Sequence, residues 1–236
     1  MFCTFIVNTA MFNSLSASIT KRYYGPPRVV QHYYHSGCVR SDTDEFKIVI
    51  VLDESGSMEP IRHQMIGAIN DLIKEQKQVV GRPATFTLVK FNGDIHRVVT
   101  NKPLKDVSLL SDMSYAPSGS TALYDAIGDT IDRFHDSRDV LMVIVTDGQE
   151  NASRAYKKYQ IESLIETQKS KYGWTYVYLS NDLSTFSQGN GIGLKESATV
   201  TNKMVDQSSY GKFIGATLNS AIGNYRSKGV SVQSQL

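Results

Sequence analysis

Phe46-Lys47-Ile48-Val49-Ile50-Val51-Leu52-Asp53-Glu54-Ser55-Gly56-Ser57 is the stretch on which the reading of this 236-residue chain turns. An apolar run centred on Ile and Val, ended by a Gly/Ser loop, predicts a buried strand with Asp53 at its carboxyl end. One carboxylate and two hydroxyls, on Asp53, Ser55 and Ser57, are hard oxygen donors. Such a set suits Mg²⁺ or Mn²⁺ and suits the softer zinc poorly. Taken alone, D-x-S-x-S reads equally well as a turn that caps the next helix. The neighbouring elements have to decide between the two.

Working outward, Pro60 opens a helical spacing of Ile61, Met65, Ile69, Leu72 and Ile73 that runs to about Val80, where Gly81 and Pro83 stop it. Thr85–Phe91 and Ile95–Val99 are β-rich runs joined through Asn92-Gly93-Asp94, which predicts an antiparallel hairpin and so a sheet edge. A polar loop from Asn101 to Ser120 leads to a second helix with Leu123, Ala126, Ile127, Ile131 and Phe134 on one face. Val140–Val145 is again an unbroken apolar run, and it ends in Thr146-Asp147-Gly148, the same arrangement of strand then Asp as at Asp53. A third helix carries Ile161, Leu164, Ile165 and Gln168. A strand over Thr175–Leu179, a short strand near Ala198–Val200 and a last helix over Phe213–Tyr225 complete the order. Apolar strands alternating with amphipathic helices predict an α/β fold, a doubly wound and mostly parallel sheet with one antiparallel edge strand. Ligands of such sheets bind at the carboxyl ends of the strands. If the strands ending at Asp53 and Asp147 are neighbours, both carboxylates enter one crevice.

Ser118-Gly119-Ser120-Thr121-Ala122 places a further hydroxyl loop on the same rim. With it, Asp53, Ser55, Ser57, Thr121 and Asp147 form the D-x-S-x-S…T…D pattern, and from about Phe46 to Tyr225 the chain resembles the von Willebrand factor A domain family. The runs Gly119-Ser120-Thr121-Ala122-Leu123-Tyr124-Asp125-Ala126-Ile127-Gly128, Thr146-Asp147-Gly148-Gln149-Glu150-Asn151 and Tyr172-Gly173-Trp174 are similar to a subgroup encoded by bacteria, phages and large DNA viruses. The resemblance implies a six-stranded sheet of order 3-2-1-4-5-6. It also implies a metal-ion-dependent adhesion site formed by Asp53, Ser55, Ser57, Thr121 and Asp147. Mg²⁺ prefers about six oxygens and these residues offer five side chains, so at least one position is left for water or for a partner's carboxylate.

Composition limits the alternatives. The formal charge is +2, but Met1–Ser41 holds Lys21, Arg22, Arg28 and Arg40 with no acid, which leaves the body slightly acidic and without a basic field for nucleic acid. Cys3 and Cys38 both lie in that N-terminal stretch, so the body has no disulfide framework and no Cys/His metal cluster. No apolar run reaches the length of a membrane span. Residues 1–41 therefore read as a basic N-terminal extension, residues 42–226 as the folded domain and residues 227–236 as a tail. The composition of the extension fits an organelle-targeting segment, a basic arm, an upstream extension of the reading frame and a docking segment alike. The expected setting is a soluble intracellular protein or a virion.

Three kinds of function follow. The first is a monomeric, metal-dependent protein-binding module whose partner presents an acidic residue. The second is a structural or assembly component, of a virion for instance, with an idle metal site. The third is a metal-dependent hydrolase, which needs a general base beside the ion, and only His63, Glu54 and Glu59 come near the rim. Neither a G-x-S-x-G elbow nor a G-x-x-x-x-G-K-[ST] phosphate loop occurs, and the chain is read as a non-enzyme. Gly189-Asn190-Gly191-Ile192-Gly193 reads as a turn, and Glu150 and Asn151 as solvated loop residues or partner contacts.

Overall fold

The computed structural model describes residues 45–180, 188–194 and 199–201, with the single positions 215, 216, 219, 222, 223 and 226. The basic extension and the tail lie outside the described residues. Of the expected last helix, only Gly215, Ala216, Asn219, Ile222, Gly223 and Arg226 are described, all helical.

The apolar run becomes β1 (Phe46–Asp53), and its alternation builds a three-layer fold. Ile48, Ile50 and Leu52 enter one core with Met65, Ile69, Leu72 and Ile73 of α1 (Arg62–Gln78). Val49 and Val51 enter a second core with Leu123, Ile127 and Ile131 of α2 (Leu123–Phe134) and Ile161 and Ile165 of α3 (Lys158–Tyr172). A strand buried on both faces needs helices on both sides, which accounts for its continuous hydrophobicity. β1 pairs in parallel with β2 (Ala84–Phe91) on one side and with β4 (Val140–Val145) on the other. β3 (Ile95–Pro103) closes one edge antiparallel to β2, and β5 (Thr175–Ser180) lies parallel to β4. The three-residue β6 (Thr199–Thr201) pairs with β5, giving the order β3-β2-β1-β4-β5-β6.

Three details differ from the sequence reading. Gly56–Ile61, including Pro60, winds as a 3-10 turn, so α1 begins at Arg62. β3 continues through Pro103, because on an edge strand the missing N–H of proline can face away from the ladder. The loop before α2 contains two short 3-10 turns, Leu104–Asp106 and Asp112–Ser114. In the register of β1 with β4, Leu52 stands opposite Val145. One residue further on, Asp53 and Thr146 face each other, both with the parity that points toward α2 and α3.

Candidate metal centre

Asp53 is fully buried at the carboxyl end of β1, and Ser55 and Thr121 are 2% and 3% exposed. One carboxylate oxygen of Asp53, Oδ1, accepts the Ser55 N–H at 2.7 Å, and the other, Oδ2, accepts the Thr146 hydroxyl at 2.6 Å. Burial pushes the Asp53 carboxyl above its ordinary range, and the hydrogen bonds from Thr146 and Ser55 only partly offset this. The Oγ atoms of Ser55 and Ser57 are 3.1 Å apart, and Ser57 Oγ donates to Asp147 Oδ1 at 2.7 Å. Asp53, Ser55, Ser57 and Asp147 thus form one hydrogen-bonded line.

Thr121 is brought to the same point by Gly148. A Cβ on Gly148 would lie 2.8 Å from Thr121 Oγ1, 3.3 Å from Asp53 Oδ2 and 3.4 Å from Ser55 Oγ. Three hard oxygens from two separate loops therefore face one small space beside Gly148 of a third loop, which only glycine leaves open. Five oxygen-bearing side chains, two of them carboxylates, match what Mg²⁺ or Mn²⁺ accepts. Among the described residues no group of three or more His, Cys, Asp or Glu comes together, so this donor set depends on hydroxyls.

The loops are tied to one another by the backbone. Gly56 N–H donates to Gly119 O at 3.2 Å, and Ser118 N–H donates to Glu54 O at 2.8 Å. Glu54, which sequence reading left as a possible base, is instead committed. Its Oε1 accepts Lys90 Nζ at 2.6 Å and the Ala116 N–H at 2.7 Å, with both side chains largely buried. The Tyr115 hydroxyl donates to Asp53 O at 2.5 Å, and burial pushes that phenol far up. His63 is exposed and lies 3.5 Å from Asp112.

Glu150 and Asn151 hold the site's loops in place. Glu150 accepts the N–H groups of Tyr124, Ala152 and Ser153, which satisfies a donor in the first turn of α2 that no helical carbonyl can reach. Asn151 Oδ1 accepts the Thr121 N–H at 2.9 Å. Thr146, Gly148, Tyr115 and Lys90 were missed by sequence reasoning. The Thr-Asp-Gly text was the one available signal for the first two, whereas Tyr115 and Lys90 depend on long-range packing that no local pattern carries.

The family model for the von Willebrand factor type A domain matches residues 47–178. No curated protein matches the chain. Among solved structures, proximal thread matrix protein 1 from the mussel byssus, with a zinc-occupied MIDAS motif, is similar at a TM-score of 0.55 and 18% identity. That alignment covers 78% of this chain and 47% of the mussel protein, so the chain spans about half of its length. The pilus adhesin SpaC from Lactobacillus rhamnosus GG, in an open conformation, is similar at a TM-score of 0.61 and 11% identity, over 79% of this chain and 31% of that one. The PilB minor pilin from Streptococcus sanguinis is similar at 0.55 and 14%, over 82% and 64%. At these identities the likeness concerns the fold.

Proposed function

The chain belongs to the von Willebrand factor type A domain family, and from that premise we propose that it is a divalent-metal-dependent protein-binding module. In this reading Asp53, Ser55, Ser57, Thr121 and Asp147 hold Mg²⁺ or Mn²⁺, directly or through water, and a carboxylate of the partner completes the coordination. The observation that carries the reading is the convergence of Thr121 Oγ1, Asp53 Oδ2 and Ser55 Oγ on the space above Gly148. The buried, charge-uncompensated Asp53 supports it, because a carboxylate with only neutral donors favours an arriving cation. When bound, the ion supplies two positive charges and an open coordination position. Asp53 and Asp147 balance those charges, so an anionic partner is not repelled. The mussel protein's zinc-occupied motif is a neighbour's property, and the hydroxyl-rich donors here favour harder ions.

Glu54, the buried candidate, already has the partners described above, which counts against it as the free base that hydrolysis needs beside the ion. Glu59 and His63 are exposed. Calorimetry with Mg²⁺ and Mn²⁺ on wild type, Asp53→Ala and Thr121→Ala tests the metal. Heat of binding should appear only in wild type, with the variants still folded by circular dichroism. Capture of a partner from an extract of the source organism, in Mg²⁺ and in EDTA, tests adhesion. A protein retained only by wild type in Mg²⁺ supports the reading. Equal capture in all conditions, with unchanged Mg²⁺ affinity in both variants, refutes it in favour of a structural role.

A further inference from the structure

At the end of the sheet opposite Asp53, where β1 and β2 begin and β3 ends, lies a cleft of about 490 Å³. That volume is in the range of small-molecule sites, roughly 300–1,000 Å³. Among the described residues its ionisable lining is Lys77, Lys105 and Arg226 against the acid Glu45. The rest of the wall is largely apolar, with Pro83, Pro103 and Leu104.

Arg226 distinguishes this cleft from an ordinary basic patch. It is 7% exposed, yet every acceptor it meets among the described residues is neutral. Its Nη1 donates to Gln76 O at 2.5 Å and to Gln76 Oε1 at 3.1 Å. Nε and Nη2 donate to Arg82 O at 3.3 and 3.1 Å. A guanidinium has five N–H donors, so one Nη2 hydrogen has no acceptor among the described residues. Buried charges are ordinarily paired with an opposite charge, and no carboxylate pairs with Arg226 among the described residues. Burial accordingly lowers its pKa.

The carbonyl end of α1, which Arg226 caps at Gln76, offsets only about half a charge. Lys77 Nζ donates to Val107 O at 2.6 Å, again a neutral acceptor, and Lys105 is exposed. Among the described residues, three cations against one acid and one helix end leave the cleft net positive by between one and two charges. This suits a monoanion, and the apolar wall suits a ligand with a hydrocarbon body.

We propose that this cleft is a second ligand site, independent of the metal centre, for a small organic carboxylate. Its head group sits at Arg226 and Lys105 and its apolar body against Pro83, Pro103 and Leu104. Octanoate, 1-octanol and inorganic phosphate are the probes, titrated into the full ¹⁵N-labelled chain. Octanoate should shift the amides of Ala84, Leu104 and Lys105 and the Arg226 Nε–H saturably, and the other two probes should not. Arg226→Met removes bonds to two main-chain carbonyls and risks unfolding, so the exposed Lys105→Glu is the test variant. It should keep its melting temperature and weaken octanoate about fivefold, as reversal of one nearby charge requires. Absence of saturable shifts overturns the proposal, as does equal binding of octanol or of phosphate. An unchanged octanoate affinity in Lys105→Glu also overturns it.

Discussion

Gly148→Ala tests the metal centre most directly, because the new methyl group goes where the cation is expected. The added Cβ would stand 2.8 Å from Thr121 Oγ1, closer than real Cβ atoms approach an oxygen. Thr121 cannot move away as a unit. Its N–H donates to Asn151 Oδ1 at 2.9 Å, and its carbonyl accepts the N–H groups of Asn151 and Ala152 at 3.0 and 3.2 Å. Relief must come from rotation of the Thr121 side chain or a small shift of the Gly148 loop, at a cost of about 1–3 kcal/mol to the metal-free fold. Mg²⁺ needs its oxygens at about 2.1 Å, so a methyl carbon within 3.4 Å of three of them removes the ion's space. At a hundredfold excess over Kd, Mg²⁺ should stabilise wild type by about 2.7 kcal/mol. For a domain of this size that is roughly 5–11 °C in Tm. Thermal melts in EDTA and across a Mg²⁺ series are the assay. The variant should melt a few degrees lower in EDTA and lose the Mg²⁺-dependent rise. A full wild-type rise in Gly148→Ala would place the ion elsewhere and refute the reasoning.

Three further outcomes are expected. Thr146→Val removes the 2.6 Å bond to Asp53 Oδ2 and should weaken Mg²⁺ about tenfold by calorimetry, as loss of an outer hydrogen bond to a metal ligand does. Lys90→Met leaves Glu54 buried without its cation and should cost about 3–5 kcal/mol in urea unfolding, most of it recovered in Lys90→Met/Glu54→Gln. Gly128→Ala drives a Cβ to 2.6 Å from three ring atoms of Tyr156; it should destabilise by about 1–3 kcal/mol and leave Mg²⁺ affinity unchanged, a control for general loss of stability.

The elements that sequence patterns reveal are those with a period. Ile48, Ile50 and Leu52 facing one core, with Val49 and Val51 facing the other, is what an apolar run without alternation means in a doubly wound sheet. The hairpin through Asn92-Gly93-Asp94 was equally legible, since Phe91 pairs with Ile95 across it. The start of α1 was not legible. Pro60 fits a first helical turn, but the hydroxyl loop takes Gly56–Ile61 as a 3-10 turn, and local propensity yields to that. The five ligand candidates could be read because the spacing within each motif is short. Their supports could not, because Tyr115 meets Asp53, and Lys90 meets Glu54, only after the sheet has formed. Glu150 shows the converse: a polar loop residue that looks solvated in the text is half-buried and holds three N–H groups.

Asp53 also separates the two readings of D-x-S-x-S. A capping turn accounts for the bond from the Ser55 N–H to Asp53 Oδ1, and a serine or asparagine could make the same bond. Capping does not account for a carboxylate with no exposed surface, raised in pKa by burial, whose second oxygen faces Thr121 and Ser55 across an open space. Nor does capping explain why the donors there are three hydroxyls and a second aspartate instead of a lysine or arginine that would neutralise Asp53 permanently. Lys90, at the end of the adjacent strand β2, is directed to Glu54. The fold therefore places its fixed cation one residue away from Asp53 and leaves Asp53 with neutral partners. That arrangement costs stability in the metal-free protein, and under the proposed function an exchangeable cation would relieve it.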